Sequence, residues 1–430
     1  VTGTPKEVSL PRRLGRILLA LLLAVVLLLG LLGWVGALTL TMVPGEEAVT
    51  PTHLFEDAPF GAPGPHAAGV RTVEIDAAEP TETTMWYPAS TEGIRASSTT
   101  YAYVVDLLGP MALASFDGEA LRAAPFDRSD QPYPLVVLSP GFAIGATSYA
   151  WLAEHLASYG FVVVAARHDE QLDPSGLWRA TIERPQDVRT VVSWVGEQTG
   201  IGGELEGVVD PGASAVIGHS YGGYTALAAG GGRLDTSRLE PTCAAAAAAD
   251  DPITFLCDAL QPHLDDMARL AGLDSIPAGL WPDQSVAGVD AVVSMAGDAL
   301  MFDRTGLTEL DVPVMAIGGT GDSDSPYEWG TGLAYEHAAA PRKAAVGLLD
   351  AEHFIFTGPC EQVRLFLKVF GGGFCSDGGW DRGRAHVLIG QFVTAFLLAE
   401  LQQDATAAAA LAPERVDQSD LRYEAEGHAR

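Results

Sequence analysis

The sequence predicts an α/β fold with a mostly parallel central sheet and helices on both faces. Three observations carry this. Short Val- and Leu-rich runs, such as Leu135-Val136-Val137-Leu138 and Val162-Val163-Val164, lack the polar alternation of a half-exposed strand. They read as strands buried on both faces. Segments of helical character, 148–159 and 184–198, separate these runs, and strand–helix alternation implies parallel pairing through crossovers. Finally, Ala215-Val216-Ile217-Gly218-His219-Ser220-Tyr221-Gly222-Gly223 carries an apolar strand into a Gly-x-Ser-x-Gly turn, with an Ala-rich helix following. A serine on such a turn projects from the end of a sheet, and the helix behind it points its N–H groups at the same spot.

Composition sets the frame. At 430 residues, with 48% hydrophobic, the chain holds a large core, either as two or three domains or as one α/β domain with insertions. The formal charge is −30; residues 1–45 carry +3, so the remainder carries −33. A body this acidic repels phosphates, which argues against nucleic acid as a partner. Lysine stands only at positions 6, 343 and 368. The four cysteines form no C-x-x-C motif and have no histidine at zinc-finger spacing, so no metal site is expected. Their close spacing predicts disulfides Cys243–Cys257 and Cys360–Cys375 in an oxidising compartment, with four buried thiols as the alternative.

Taken in order, the chain begins with a basic flank, Arg12, Arg13 and Arg16, followed by an apolar run over 17–42. That run exceeds the roughly 20 residues that span a bilayer. The expectation for 1–43 is a cytoplasmic flank and transmembrane signal anchor, with the body outside the cell membrane. Cleavage near Val35-Gly36-Ala37, which would give a secreted protein, is the rival reading. Residues 44–69, rich in Pro, Gly and acidic side chains, read as a tether. The folded α/β domain is expected over 70–402. Strands are predicted at 70–76 and 83–88, then an irregular insertion with a helical middle over 89–130. After the strands around Val136 and Val163 and the helix opened by Arg184-Pro185, strands are predicted at 291–295, 312–317 and 345–349. A last helix is predicted over 385–401. The insertion 231–290, with a six-alanine tract, reads as a helical cap over the site. Residues 403–430 are expected to be a disordered tail.

The chemistry follows from Ser220. A serine hydroxyl needs a base to take its proton, and the base needs an orienting carboxylate. Of ten histidines, His353 lies beyond a late strand in Leu349-Asp350-Ala351-Glu352-His353-Phe354, where such a base belongs. His219, inside the Gly-x-Ser-x-Gly turn, is expected to pack beneath it. The carboxylate should end the preceding strand, in Ile317-Gly318-Gly319-Thr320-Gly321-Asp322-Ser323-Asp324. Asp322 is the first choice and Asp324 the second, with Asp298 and Asp303 as outside candidates. Two backbone N–H groups should receive the oxyanion of acyl transfer: Tyr221, directly after the serine, and Phe142, in the loop after Ser139-Pro140-Gly141.

These motifs resemble one family group. Ser139-Pro140-Gly141-Phe142, Gly218-His219-Ser220-Tyr221-Gly222-Gly223, Gly319-Thr320-Gly321-Asp322 and His353-Phe354 are similar to those of α/β-hydrolases of the platelet-activating-factor acetylhydrolase and bacterial cutinase-like polyester hydrolase group. Trp86-Tyr87-Pro88 and Arg184-Pro185-Gln186-Asp187 resemble the acetylhydrolase side. The likeness covers roughly 70–400. It implies an α/β-hydrolase fold and an exported serine esterase with Ser220 as nucleophile, His353 as base and Asp322 as acid. No cofactor is implied. The expected substrate is a small-molecule, lipid or polymer ester. Peptide or amide hydrolysis by the same residues, and a non-catalytic surface-binding role, are the alternatives.

Overall fold

The computed structural model describes residues 12–45, 58–75, 81–92, 99–129, 132–370, 373–375, 377–416 and 418–428. Residues 46–57 of the expected tether and 1–11 of the expected basic flank therefore lie outside the described residues. In chain order the strands are β1 (Met42–Pro44), β2 (Ala67–Ile75), β3 (Thr81–Ala89), β4 (Thr99–Asp106), β5 (Pro110–Gly118), β6 (Leu121–Arg122) and β7 (Tyr133–Ser139). There follow β8 (Val162–Ala165), β9 (Val209–His219), β10 (Ala291–Met295), β11 (Val314–Gly319), β12 (Lys343–Leu348), β13 (Gln362–Arg364) and β14 (Leu421–Glu426).

Ten of these form one mixed sheet in the order β14-β12-β11-β10-β9-β7-β8-β3-β2-β6. The central run from β8 to β12 is parallel; β3 joins β8, and β14 joins β12, antiparallel. The apolar runs are explained by what lies on each side. Leu135 and Val137 of β7 enter one core, shared with helices Leu177–Gln198 and Tyr221–Ala229; Val136 and Leu138 enter the other, with Ala150–Ser158 and Arg382–Leu401. Both pleat faces are buried, so no polar alternation is needed. The helix Arg382–Leu401 is long and apolar enough to cross a membrane, but it is mostly buried in this core.

At the N-terminus a helix spans Arg12–Leu40. From Leu23 onward most of its described large apolar side chains are exposed, among them Leu27, Trp34 and Leu40, while Leu38 is buried. Both expected disulfides are present, with Cα–Cα separations of 5.6 Å for Cys243–Cys257 and 6.2 Å for Cys360–Cys375.

Three expectations are corrected. Among the described residues, 89–130 is not irregular with a helical middle: β4 and β5 form an antiparallel hairpin within a second sheet, ordered β1-β13-β5-β4. Thr99, Tyr101, Tyr103 and Val105 alternate on its buried side, a period-two pattern of β-branched and aromatic residues that outweighs any helical propensity. The helix read as opening at Arg184 begins at Leu177 and carries Pro185 inside it. Proline cannot donate to the carbonyl four residues back. That carbonyl, Thr181, is satisfied instead by the Tyr224 hydroxyl at 2.9 Å. The supposedly disordered tail contributes a helix, Ala405–Ala410, capped by the Asp404 carboxylate, and the edge strand β14. Leu421, Tyr423 and Ala425 pack on the core, and Tyr423 stacks on Phe392. Their alternation with Arg422, Glu424 and Glu426 is the period-two pattern of a half-exposed edge strand.

Candidate active site

The elbow brings β9 into the helix Tyr221–Ala229 through one residue. Ser220 sits at φ +57°, ψ −125°, a conformation that costs a non-glycine residue about 1–3 kcal/mol and persists only when its surroundings enforce it. Close packing does so here. A Cβ on Gly218 would overlap the Gly222 carbonyl, and one on Gly222 the Ser139 carbonyl. The Ser220 N–H is tied to the Met295 carbonyl at the end of β10, 2.8 Å away.

Loops after two further strands meet it. His353 follows β12 on a 3-10 turn, and its Nε2 lies 2.9 Å from the Ser220 Oγ. Its Nδ1 lies 2.7 Å from Oδ2 of Asp322, which follows β11. The other Asp322 oxygen accepts the N–H groups of Asp324 and Ser325, both at 2.8 Å. Asp322 and His353 are both buried. Nδ1 donates to the carboxylate, which leaves Nε2 able to accept the serine proton. Burial pushes the His353 pKa down, but the charge and hydrogen bond of Asp322, with the charge of Asp324, outweigh it, and the net pKa lies above the usual histidine value. Asp324, the second choice for the acid, is exposed and meets this unit through its backbone N–H. Asp303 faces Arg238 at 3.7 Å instead. Asp298 is not bonded to His353; it lines the adjoining cavity.

His219 lies fully buried under the turn. Its Nε2–H donates to the His353 carbonyl at 3.0 Å. Its Nδ1 therefore accepts from the Tyr149 hydroxyl, at 2.8 Å, whose oxygen accepts the Gly141 N–H at 3.0 Å. Burial first, then the proximity of His353, hold the His219 pKa well below the usual value, so this imidazole stays neutral. One chain of hydrogen bonds thus links the loop after β7 to the backbone of His353.

That loop has a second anchor. Arg184, 1% exposed, binds Glu170 through two nitrogens at 2.6 Å each and donates to the Pro140 carbonyl at 2.8 Å. Glu170 accepts the Ala143 N–H at 3.1 Å. Burial raises the Glu170 pKa, yet the Arg184 charge prevails and the carboxylate stays ionised. Pro140 and Ala143 are held from behind, and Phe142 lies between them. Among the described residues, neither the Phe142 nor the Tyr221 N–H has a hydrogen-bond acceptor. Behind the loop stands a second Ser–His–Asp alignment: Ser139 Oγ to His168 Nε2 at 2.9 Å, and His168 Nδ1 to Asp187 at 2.7 Å. Ser139 is completely buried, so this alignment braces the loop and meets no substrate.

A cavity of about 400 Å³ opens over Ser220 and His353. Its walls are mainly apolar. Tyr103, Val105, Leu107 and Leu113 come from β4, β5 and their turn; Phe142, Ile144 and Leu172 from the loops after β7 and β8; Leu177 from the first turn of the helix Leu177–Gln198; and Phe255 and Leu256 from the insertion 231–290. The β4–β5 wall was not read from the sequence as part of the site, because its hairpin was not. Arg184, Tyr149 and His168 were missed as well: long-range hydrogen bonds leave no local pattern. Among the described residues no cluster of side chains is arranged to hold a metal ion.

The family described as platelet-activating factor acetylhydrolase, isoform II, matches residues 72–194, a segment that contains the loop after β7 and Arg184 but ends before Ser220. A bis(hydroxyethyl) terephthalate hydrolase of Streptomyces coelicolor is 29% identical over 160 residues, 37% of this chain and 46% of that protein. Cutinase est1 of Thermobifida alba is 28% identical over 116 residues, 27% of this chain and 36% of that one. Chlorophyllase-1 of Arabidopsis thaliana is 25% identical over 272 residues, 62% and 71% respectively. The match spans less than half the length of the first two of these relatives. Taken together, these likenesses relate the chain to the platelet-activating-factor acetylhydrolase and cutinase-like group of hydrolases.

Proposed function

We propose that the protein is a serine hydrolase of carboxylic esters. The observation that carries this is the unbroken hydrogen-bonded line Ser220–His353–Asp322, opening onto an apolar cavity. In the proposed reaction His353 takes the Ser220 proton as Oγ bonds to the ester carbonyl carbon. The Phe142 and Tyr221 N–H groups receive the oxyanion. Collapse of this intermediate breaks the ester C–O bond, and the alcohol leaves with the proton from His353. Water then gives a proton to His353 and its oxygen attacks the acyl carbon. Ser220 recovers its proton and the acid departs. Asp322 holds the imidazole in the working tautomer. No step needs a metal or organic cofactor.

The substrate reading rests on the cavity and the relatives. Apolar walls suit acyl chains or the hydrocarbon parts of lipid and polymer esters. The named relatives act on terephthalate, cutin-type and chlorophyll esters, in keeping with this class. The insertion 231–290 serves as a cap that forms one wall. The exposed apolar helix at the N-terminus anchors the protein in the cell membrane with the catalytic domain outside, and the two disulfides fit that oxidising side. The test is hydrolysis of p-nitrophenyl esters by the wild type and Ser220→Ala. Near-complete loss in the variant is expected; wild-type turnover by it refutes the proposal.

A further inference from the structure

The exposed apolar side chains are not scattered. Outside the helix Arg12–Leu40, the large apolar residues exposed among the described ones gather at the cavity mouth or beside that helix, with Ile201 and Leu349 as the exceptions. Leu107, Leu172 and Phe255 line the cavity and are 43%, 49% and 49% exposed, so they form its rim. Leu108, at the tip of the turn between β4 and β5, is 95% exposed. Single exposed leucines are ordinary, but several gathered at one mouth mark a surface that meets a partner.

The strand register says which partner. Met42 of β1 pairs with Arg364 of β13, and Val363 of β13 pairs with Ala114 of β5, both antiparallel. The residues before Met42, after Arg364 and before Ala114 therefore leave the second sheet at one end. Before Met42 comes the apolar helix Arg12–Leu40, joined by Thr41 alone. After Arg364 comes the helix Leu365–Phe370, packed on it, with Phe366 and Val369 exposed. Before Ala114 comes the turn bearing Leu107 and Leu108, since Asp106 pairs with Pro110. The junction is fixed: Lys368 donates to the Pro44 carbonyl, and the Gly45 N–H donates to the Glu361 carbonyl at 2.7 Å. Thus β1 is a strand of the sheet that walls the cavity, and a bilayer holding the helix meets the sheet at the end where the rim stands. No lysine or arginine lines the cavity, and Asp324 is exposed at its edge, so the contact is apolar and not driven by charge.

We propose that this end of the second sheet docks on the lipid leaflet that holds the N-terminal helix, with Leu107 and Leu108 inserted, so that acyl esters enter the cavity from the bilayer and not from water. This names where the substrate comes from, and it rests on the reading of an anchored ester hydrolase given above.

The test uses the full chain reconstituted in phosphatidylcholine vesicles. p-Nitrophenyl palmitate is dissolved in the same vesicles and p-nitrophenyl butyrate in the water. The readout is the ratio of the two rates. Leu108→Asp puts a charge where an apolar side chain meets lipid, and should lower the ratio about tenfold. The loss should fall on the palmitate alone, because Leu108 lies outside the cavity lining. In a second measurement Leu108→Cys carries a bimane. The four native cysteines are all paired, so the label is unique. Nitroxide-bearing lipids should quench it. An unchanged ratio in Leu108→Asp, or an equal loss on both esters, overturns the proposal. So does an unquenched label, whether bathed in water or shielded by a second copy of the chain. In each of these cases butyrate cleavage by the wild type leaves the hydrolase reading standing. Failure of the wild type to cleave either ester overturns that reading, and this proposal with it.

Discussion

Replacing Arg184 with lysine isolates the clamp behind the proposed oxyanion loop. The guanidinium makes two bonds to Glu170 and one to the Pro140 carbonyl. A lysine nitrogen is a single point and cannot span both partners, although it keeps the charge that Glu170 needs. The loss is therefore one arm of the fork and the contact to Pro140. Hydrogen bonds to charged groups contribute about 1.5–3 kcal/mol each, and the remaining Lys–Glu pair offsets part of that, so the net cost is about 2 kcal/mol. In a chain of this size that lowers the melting temperature by about 3 °C. The rate should fall further than stability implies. Complete loss of one oxyanion donor costs about 100- to 1,000-fold in kcat. Glu170 still holds Ala143 in the variant, so Phe142 is only partly released and kcat should drop about 10- to 100-fold. KM should change less than kcat, because the apolar walls other than Phe142 are untouched. Steady-state kinetics on p-nitrophenyl butyrate together with a thermal melt give both numbers. A lowered melting temperature with unchanged kcat would show that the clamp supports the fold but does not set the loop, which would refute the reasoning.

Other predictions follow from the same contacts. Asp324 contributes to the raised pKa of His353, so Asp324→Asn should move the acid limb of the kcat/KM profile to lower pH; a limb that stays in place contradicts this. The sign is fixed because the base acts only when neutral, so activity is lost as pH falls through the His353 pKa. Tyr149→Phe removes the hydroxyl between Gly141 and His219 and leaves two buried groups unpaired, at about 1–3 kcal/mol each; a denaturant titration should register it, and kcat should fall with it. Opening Cys243–Cys257 with the double serine variant should cost up to about 3 kcal/mol and raise KM for long acyl chains, because Phe255 and Leu256 lie within the loop it closes. Equal KM values for long and short chains in that variant would place the insertion outside the substrate's path.

Much of the fold was legible because both faces of the parallel strands are buried, which leaves apolar runs that need no partner to be recognised. Ala291–Met295 is one such strand, buried along its whole length. The three residues of the Ser220 line were legible for a similar reason: each follows a strand at the same edge of the sheet, and chain order sorts the candidates. What escaped notice depends on distant partners. Pro185 looked like a helix start because the Tyr224 hydroxyl that rescues the Thr181 carbonyl is 43 residues away. The β4–β5 hairpin carries the right alternation, but the polar residues around Thr99 and Asp117 hid its edges. His168 precedes the serine in the chain and has no local pattern to mark it, yet it braces Ser139 from within the core. The cavity over Ser220 was not legible either, because its walls come together only when the hairpin and the insertion fold around it.

The most direct measurement is mass spectrometry of the protein after brief exposure to a fluorophosphonate ester. The account predicts a single phosphonyl adduct on the peptide carrying Ser220, formed far more slowly in His353→Ala and absent in Ser220→Ala. No adduct on the folded wild type, or labelling of Ser220 at the wild-type rate once the imidazole is removed, would contradict it.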